Sequence, residues 1–306
     1  MMAATSPTMS PTGGARVSRV AYALSIPLAL VTALAAGWSA FGGVLKGPEV
    51  MSGSARGTAI VVLFVTVPLV AAAMWASARG SVAALLVWLG GVAHILYQSV
   101  LFLFGTPFND LFLLYVAMAS LGLWVLIVSL ASIDVGALRA RIDPALPVRP
   151  IAVYVWVIVA LNGALWLKTA VSGMGAEGAP GFLVGTGLPT NPVYVQDLVF
   201  WLPLMALAGR WLWHRLDRGY VVIGAMLVMW LVEGVTVAVD QWMGHRADPT
   251  SDVATLGGAY LFAAVAVIGI APVIAFFGHL RGSVLRAGPI PDARMGSVPR
   301  AGARPR

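Results

Sequence analysis

The chain contains no cysteine in 306 residues. Disulfide staples, thiolate metal sites and cysteine nucleophiles are therefore excluded, whichever compartment the loops face. Charge is almost as scarce, with Asp, Glu, Lys and Arg at 10% of the residues against roughly 25% in an average soluble protein. Lysine is limited to Lys46 and Lys168, so no Schiff-base lysine lies deep in a last helix and a retinal protein is ruled out. The sequence has no HExxH, no Walker loop, no GxSxG and no paired histidine motif. Of His94, His214, His245 and His279, His94 alone falls inside an apolar run, which argues against haem held by two histidines. No metal site and no cofactor is expected.

What fills the sequence instead is apolar: 59% of the residues are hydrophobic and the mean hydropathy is +0.89. A bilayer core of about 30 Å takes about 20 such residues per helical crossing. Eight runs qualify: Val20 to Val44, Thr58 to Ala76, Ser81 to Phe104, Leu111 to Ser132, Ile151 to Val171, Pro192 to Trp213, Tyr220 to Met243 and Val253 to Phe277. Within hydrocarbon every backbone N–H and C=O needs a partner, and runs this long and uniform satisfy that as helices, not barrel strands. The expected class is an all-α integral membrane protein with eight transmembrane helices. The first run is longer than the apolar region of a cleaved signal peptide, so it is expected to remain as a span. Asn191-Pro192, Asn109-Asp110 and Ser251-Asp252 read as start signals for the sixth, fourth and eighth helices.

The net charge of +7 looks like a nucleic-acid signature until its positions are read. Fifteen of the 19 basic residues fall beyond one side of the runs: Arg16, Arg19, Arg79, Arg139, Arg141, Arg149, Arg210, Arg215, Arg218 and six arginines after residue 280. Lys46, Arg56, Lys168 and Arg246 fall on the other side. The bias of positive charge toward the cytoplasm then puts both termini inside, with the protein multi-pass in the plasma (inner) membrane. No nucleic acid is implied. The preference for Arg over Lys, with abundant Ala, Gly and Val, fits GC-rich bacterial coding. Residues 1–19 and 281–306 read as disordered tails, the second of them basic. Between them lie a first membrane half (20–133), a charged cytoplasmic linker (134–150) and a second half (151–280).

The halves share landmarks. Pro68-Leu69 followed by Ala71 and Ala73 matches Pro203-Leu204 followed by Ala206 and Ala208, and Arg79-Gly80 matches Arg218-Gly219. Gly105 and Gly244 close the third and seventh runs at the same offset from those Arg-Gly pairs. A duplication of four helices plus four follows as an expectation. An even number per unit gives both halves the same orientation, with a ligand site between them.

Ionisable groups inside such spans are costly, on the order of 2.5–3.5 kcal/mol at the centre, and usually face a bundle interior or water. Glu233 sits mid-way along the seventh run, with Asp240 two turns further on the same face. In the duplicated frame His94 is the counterpart of Glu233, and Tyr97 and Gln98 extend its face. These five form the expected central polar site, where a His and a Glu could share a proton or hold a cation. Asp110, Lys168, Gln196 and Asp197 are expected at an outer rim, with Asp110 as a helix cap and Lys168 and Arg246 as partners of the acids. The loop Gly173 to Asn191, rich in glycine with an apolar Phe182-Leu183-Val184 patch, suits a lid or a segment lying on the membrane. Trp38, Trp166, Trp201, Trp211, Trp213 and Trp242 read as interfacial anchors. The pattern favours a protein that binds or transports a small solute or ion between two four-helix halves. A membrane-embedded enzyme acting on a lipid or quinone, and a non-catalytic partner subunit or sensor, are the alternatives. Its partners are the bilayer, the solute or ion, and other copies or subunits of a membrane complex.

Overall fold

A computed structural model describes residues 17–280. The tails, residues 1–16 and 281–306, lie outside the described residues, and the expectations about them lie there too. Eight helices in the described residues are long and apolar enough to cross a membrane: α1 Arg19–Phe41, α2 Glu49–Ala78, α3 Val82–Phe104, α4 Phe112–Ser132, α5 Val148–Gly173, α6 Pro192–Trp213, α7 Asp217–Ala247 and α8 Leu256–Phe277. The chain is thus an α-helical, multi-pass membrane protein.

The widest departure from the sequence expectation is α2, which starts at Glu49 and not at Thr58. Its added turns carry Gly53 and Gly57, spaced as a GxxxG pair. A methyl group on Gly53 would stand 2.5 Å from Ala247 Cβ, and one on Gly57 2.8 Å from the Val239 carbonyl oxygen. With no side chains between them, the backbones of α2 and α7 pack directly, the usual way membrane helices gain contact where no hydrophobic driving force exists. The polar composition of Ser52 to Arg56 hides this helix, and packing against α7 forms it. The same contact carries α7 past Met243 to Ala247.

Helices α3 and α7 form the centre, with 78% and 67% of their spanning windows buried, against 17% for both α5 and α8. They cross closely because Gly90 of α3 sits against the Ala225 carbonyl and Val228 of α7. Helices α1, α2 and α4 surround one side of this pair and α5, α6 and α8 the other.

Proline shapes four helices in two ways. Pro27 and Pro272 lie within otherwise regular α1 and α8. Pro68 and Pro203 each follow a five-residue π-helical turn, Val62–Thr66 in α2 and Asp197–Trp201 in α6. A proline ring clashes with the carbonyl four residues back, and the widened turn relieves that clash without ending the helix. Both π turns stand at the same distance from their proline.

The caps follow side-chain chemistry. Asn191 Oδ1 accepts from the amides of Val193 and Tyr194, with Pro192 in the first turn, as the sequence indicated. At α4 the local bond is from Leu111 N to Asn109 Oδ1 at 3.0 Å, and Asp110 is exposed without capping the helix. At α8 the cap is Thr255, whose hydroxyl accepts from Gly258 N, while Ser251 and Asp252 belong to the preceding turn. The linker is ordered: Asp134 caps a short helix, Val135–Arg139, and Asp143 N donates to the His279 carbonyl at 2.8 Å.

Candidate functional site

The central pair meets across α3 and α7. His94 Nε2 lies 3.2 Å from Glu233 Oε2, with His94 fully buried and Glu233 3% exposed. The Gln98 amide, one turn from His94, donates to the same Glu233 oxygen. Two further hydroxyls complete the imidazole's surroundings. Thr236 Oγ1 lies 3.0 Å from Nε2, and Thr66 Oγ1 lies 3.1 Å from Nδ1.

These bonds favour one tautomer of the ring. The Thr236 hydroxyl donates to the Val232 carbonyl at 2.8 Å, so towards His94 its oxygen is left to accept, and a hydrogen on Nε2 serves both it and Glu233, while the Gln98 amide nitrogen, 3.2 Å from Nε2, donates to the Glu233 carboxylate. At Nδ1 the Thr66 hydroxyl can donate to a neutral imidazole or accept from a protonated one. Thr66 is the last residue of the π turn of α2, so the widened turn contributes the hydroxyl that meets His94 Nδ1.

A cavity of about 490 Å3 opens beside this pair, with Gln98, Glu233, Tyr97, Asp197, Trp230 and Asp240 among its walls. A second space of about 850 Å3 lies beyond it under the loop Gly181–Leu188, and Thr58, Leu101, Asn191, Tyr194, Asp240 and Gln241 line both. Asp240, half-buried, thus stands where vestibule and inner cavity join, beside Ser54, Thr58 and Gln241. The loop lies over the vestibule, its Phe182 ring 5.5 Å from that of Tyr194. At the mouth, Asp248 accepts from the hydroxyl and amide of Thr250 at 2.7 and 3.0 Å. Those bonds hold its carboxyl below the usual carboxylate range.

Asp197 faces the cavity from α6, only 2% exposed. Trp166 Nε1 donates to its Oδ2 at 2.9 Å, Tyr97 reaches towards it, and Oδ1 has no partner. Gln98 Oε1 and Trp230 Nε1 are likewise buried without partners. Asp197, Gln98 and Trp230 all line the cavity, and between them they hold two unmet acceptors and one unmet donor just behind its surface.

The other expected rim residues stand apart. Gln196 turns to Trp201, whose Nε1 donates to its Oε1 at 3.2 Å. Lys168 and Asp110 are exposed, and the Arg246 guanidinium lies 5.1 Å over the Trp242 ring. The acids of the cavity therefore lack the basic partners the sequence suggested, because α5 directs Lys168 away from the bundle. Thr66, Thr58, Asn162 and Gln241 enter the site unannounced by the sequence, where single polar residues in long apolar runs carry no spacing signal. Trp166, expected as an interfacial anchor, also bonds Asp197. Among the described residues, no group of three or more His, Asp or Glu side chains is placed to hold a metal ion. The chain matches no family model, no curated protein and no solved structure.

Proposed function

We propose that the protein binds or transports a small solute or ion through the cavity between its two four-helix halves, with Glu233 as the central binding group. The observation that carries this reading is the continuity from the outer vestibule, past Asp240, to the buried His94 and Glu233 pair. A solute reaching Glu233 Oε2 competes with the Gln98 amide and His94 Nε2–H for one oxygen. Occupancy and protonation of the pair are therefore linked, and each changes the affinity for the other by the same factor. Such linkage is what couples a solute step to a proton step.

The proposal includes the duplication. Matching π turns before Pro68 and Pro203, and the meeting of His94 with Glu233 at equivalent depths, support two halves related by an axis along the membrane normal. It also includes a plasma-membrane location with cytoplasmic termini, resting on the distribution of basic residues.

The test is purified protein reconstituted in vesicles and assayed for proton-linked flux, with thermal unfolding measured alongside. Glu233→Gln keeps shape and removes charge, and is expected to cut flux by about tenfold or more, equivalent to about 1.4 kcal/mol. Asp110→Asn is expected to leave flux unchanged. If Glu233→Gln instead raises stability and alters no flux, the pair serves helix packing and the protein is a structural partner subunit.

A further inference from the structure

The cavity has a second opening, and it faces lipid. In the first half the outermost pair, α1 and α4, is tied along its length: Ser39 Oγ and Tyr115 Oη lie 2.7 Å apart, and Ser18 N donates to Ser132 Oγ at 3.0 Å. The corresponding pair in the second half, α5 and α8, approaches at Tyr154 and Gly269, where a methyl on the glycine would meet the phenol oxygen at 3.3 Å. Toward the outer side, Leu161, Asn162 and Leu165 of α5 and Leu261, Phe262 and Val265 of α8 line the cavity. Leu161, Leu165 and Leu261 are at the same time 65%, 47% and 58% exposed. Side chains that are both cavity wall and outer surface mark the edge of an opening, and at this depth the opening meets acyl chains and not water.

The chemistry behind the opening is the reverse of its rim. Asp197, Glu233 and Asp240 face the cavity with no lysine or arginine among its walls. Asp197 Oδ1 and Gln98 Oε1, on side chains at least 98% buried, have no hydrogen-bond donor. Tyr97, Tyr194, Trp166 and Trp230 add aromatic faces, which attract cations. Among the fully buried polar atoms of the lining residues, unmet acceptors exceed the single unmet donor, Trp230 Nε1. That balance disfavours a quinone or an anion, each of which brings acceptors, and fits an ammonium group carrying N–H. The volume, about 490 Å3, lies in the usual 300–1,000 Å3 of small-molecule sites.

We infer that the cavity takes an amphipathic amine, protonated at its head and apolar in its tail, which passes between α5 and α8 from the outer part of the bilayer and sets its ammonium on Asp197 Oδ1 and Gln98 Oε1. This rests on the cavity being a solute site and names the class of solute and its route. The tail lies along Leu161, Leu165 and Val265. Glu233, deeper and already paired, receives no direct bond until the head moves inward.

The experiment is binding to the full chain in nanodiscs, read by quenching of tryptophan fluorescence, with empty discs subtracted. Decylammonium is expected to bind saturably. Decyltrimethylammonium, without N–H, and decanoate, of opposite charge, should bind at least tenfold more weakly, and ethylammonium, without a tail, should not compete. Asp197→Asn and Val265→Trp should each weaken decylammonium binding about tenfold while unfolding at the wild-type temperature. Asp197→Glu, which keeps the charge, checks that any loss is not a folding defect and should restore part of the affinity. Ethylammonium competing as well as decylammonium, with Val265→Trp silent, would overturn the lateral route and leave the solute site standing. Decylammonium bound equally by wild type and both variants would overturn the amine site. Cross-linking of a Leu161→Cys variant to its own copy would show the gap to be a dimer contact and would overturn the route as well. The proton-flux assay of Glu233→Gln is independent of all these outcomes, so failure of the amine site and failure of the transport reading remain separable.

Discussion

His94 carries more of the site's logic than any other residue, because each ring nitrogen has its own hydroxyl: Thr236 at Nε2 and Thr66 at Nδ1. In the hydrocarbon interior such a group cannot turn to water when a partner is lost. Thr66→Val, nearly isosteric, should therefore leave Nδ1 unsatisfied and cost about 1–3 kcal/mol, seen as lower thermal stability. Thr66→Ser keeps the hydroxyl and is expected to behave as wild type. If Thr66→Val matched wild type in thermal stability, the π turn of α2 would be a response to Pro68 and nothing more.

At the scale of the elements, the decisive contact is α2 on α7. Gly57 stands where any side chain meets backbone, with the Val239 carbonyl at 2.8 Å and Met243 Cβ at 3.0 Å from an added methyl. Neither is the free end of a flexible chain, so the helices must separate. Gly57→Ala is expected to destabilise by about 1–3 kcal/mol and Gly57→Leu by more. Gly163→Ala of α5, whose nearest neighbour would be Leu202 Cδ1 at 3.8 Å, should be neutral. Thermal unfolding in one detergent ranks the three variants, and equal effects of Gly57→Ala and Gly163→Ala would show that the close crossing is not rigid. Because Thr58 and Asp240 lie on this same seam, the Gly57 variants should also disturb the passage from vestibule to cavity.

At the scale of the whole molecule, the proposed topology rests on the distribution of charge. Lacking native cysteine, the chain accepts single reporters cleanly. A cysteine at Glu177, in the loop after α5, is expected to react with an impermeant thiol reagent in intact cells. One at Ala145, exposed in the linker before α5, should react only after the membrane is opened. The reverse pattern would invert the protein, turn the vestibule toward the cytoplasm, and require the lateral opening to face the inner leaflet.

Length and apolar composition alone were sufficient for eight helices and for most of their boundaries, because hydrocarbon leaves a twenty-residue apolar run no other way to satisfy its backbone. The same cost made Glu233, Asp240 and His94 stand out, since ionisable residues have no cheap reason to be there. Asn191-Pro192 was legible because cap and proline act within one turn. What depended on distant partners was hidden. The first turns of α2 exist because α7 packs on two glycines; Asp197 is held in the cavity wall because α5 brings Trp166 to it; and Lys168 stands apart from the acids because the same helix turns it outward. The unequal closure of α1 on α4 and α5 on α8 is equally invisible in sequence, where all four are apolar runs of similar length. Sequence determines which segments leave water, because that is a property of each segment's own composition. Tertiary structure alone decides which polar groups then meet, because inside the bilayer every segment is apolar and only the fit of one helix against another distinguishes a closed seam from an open one.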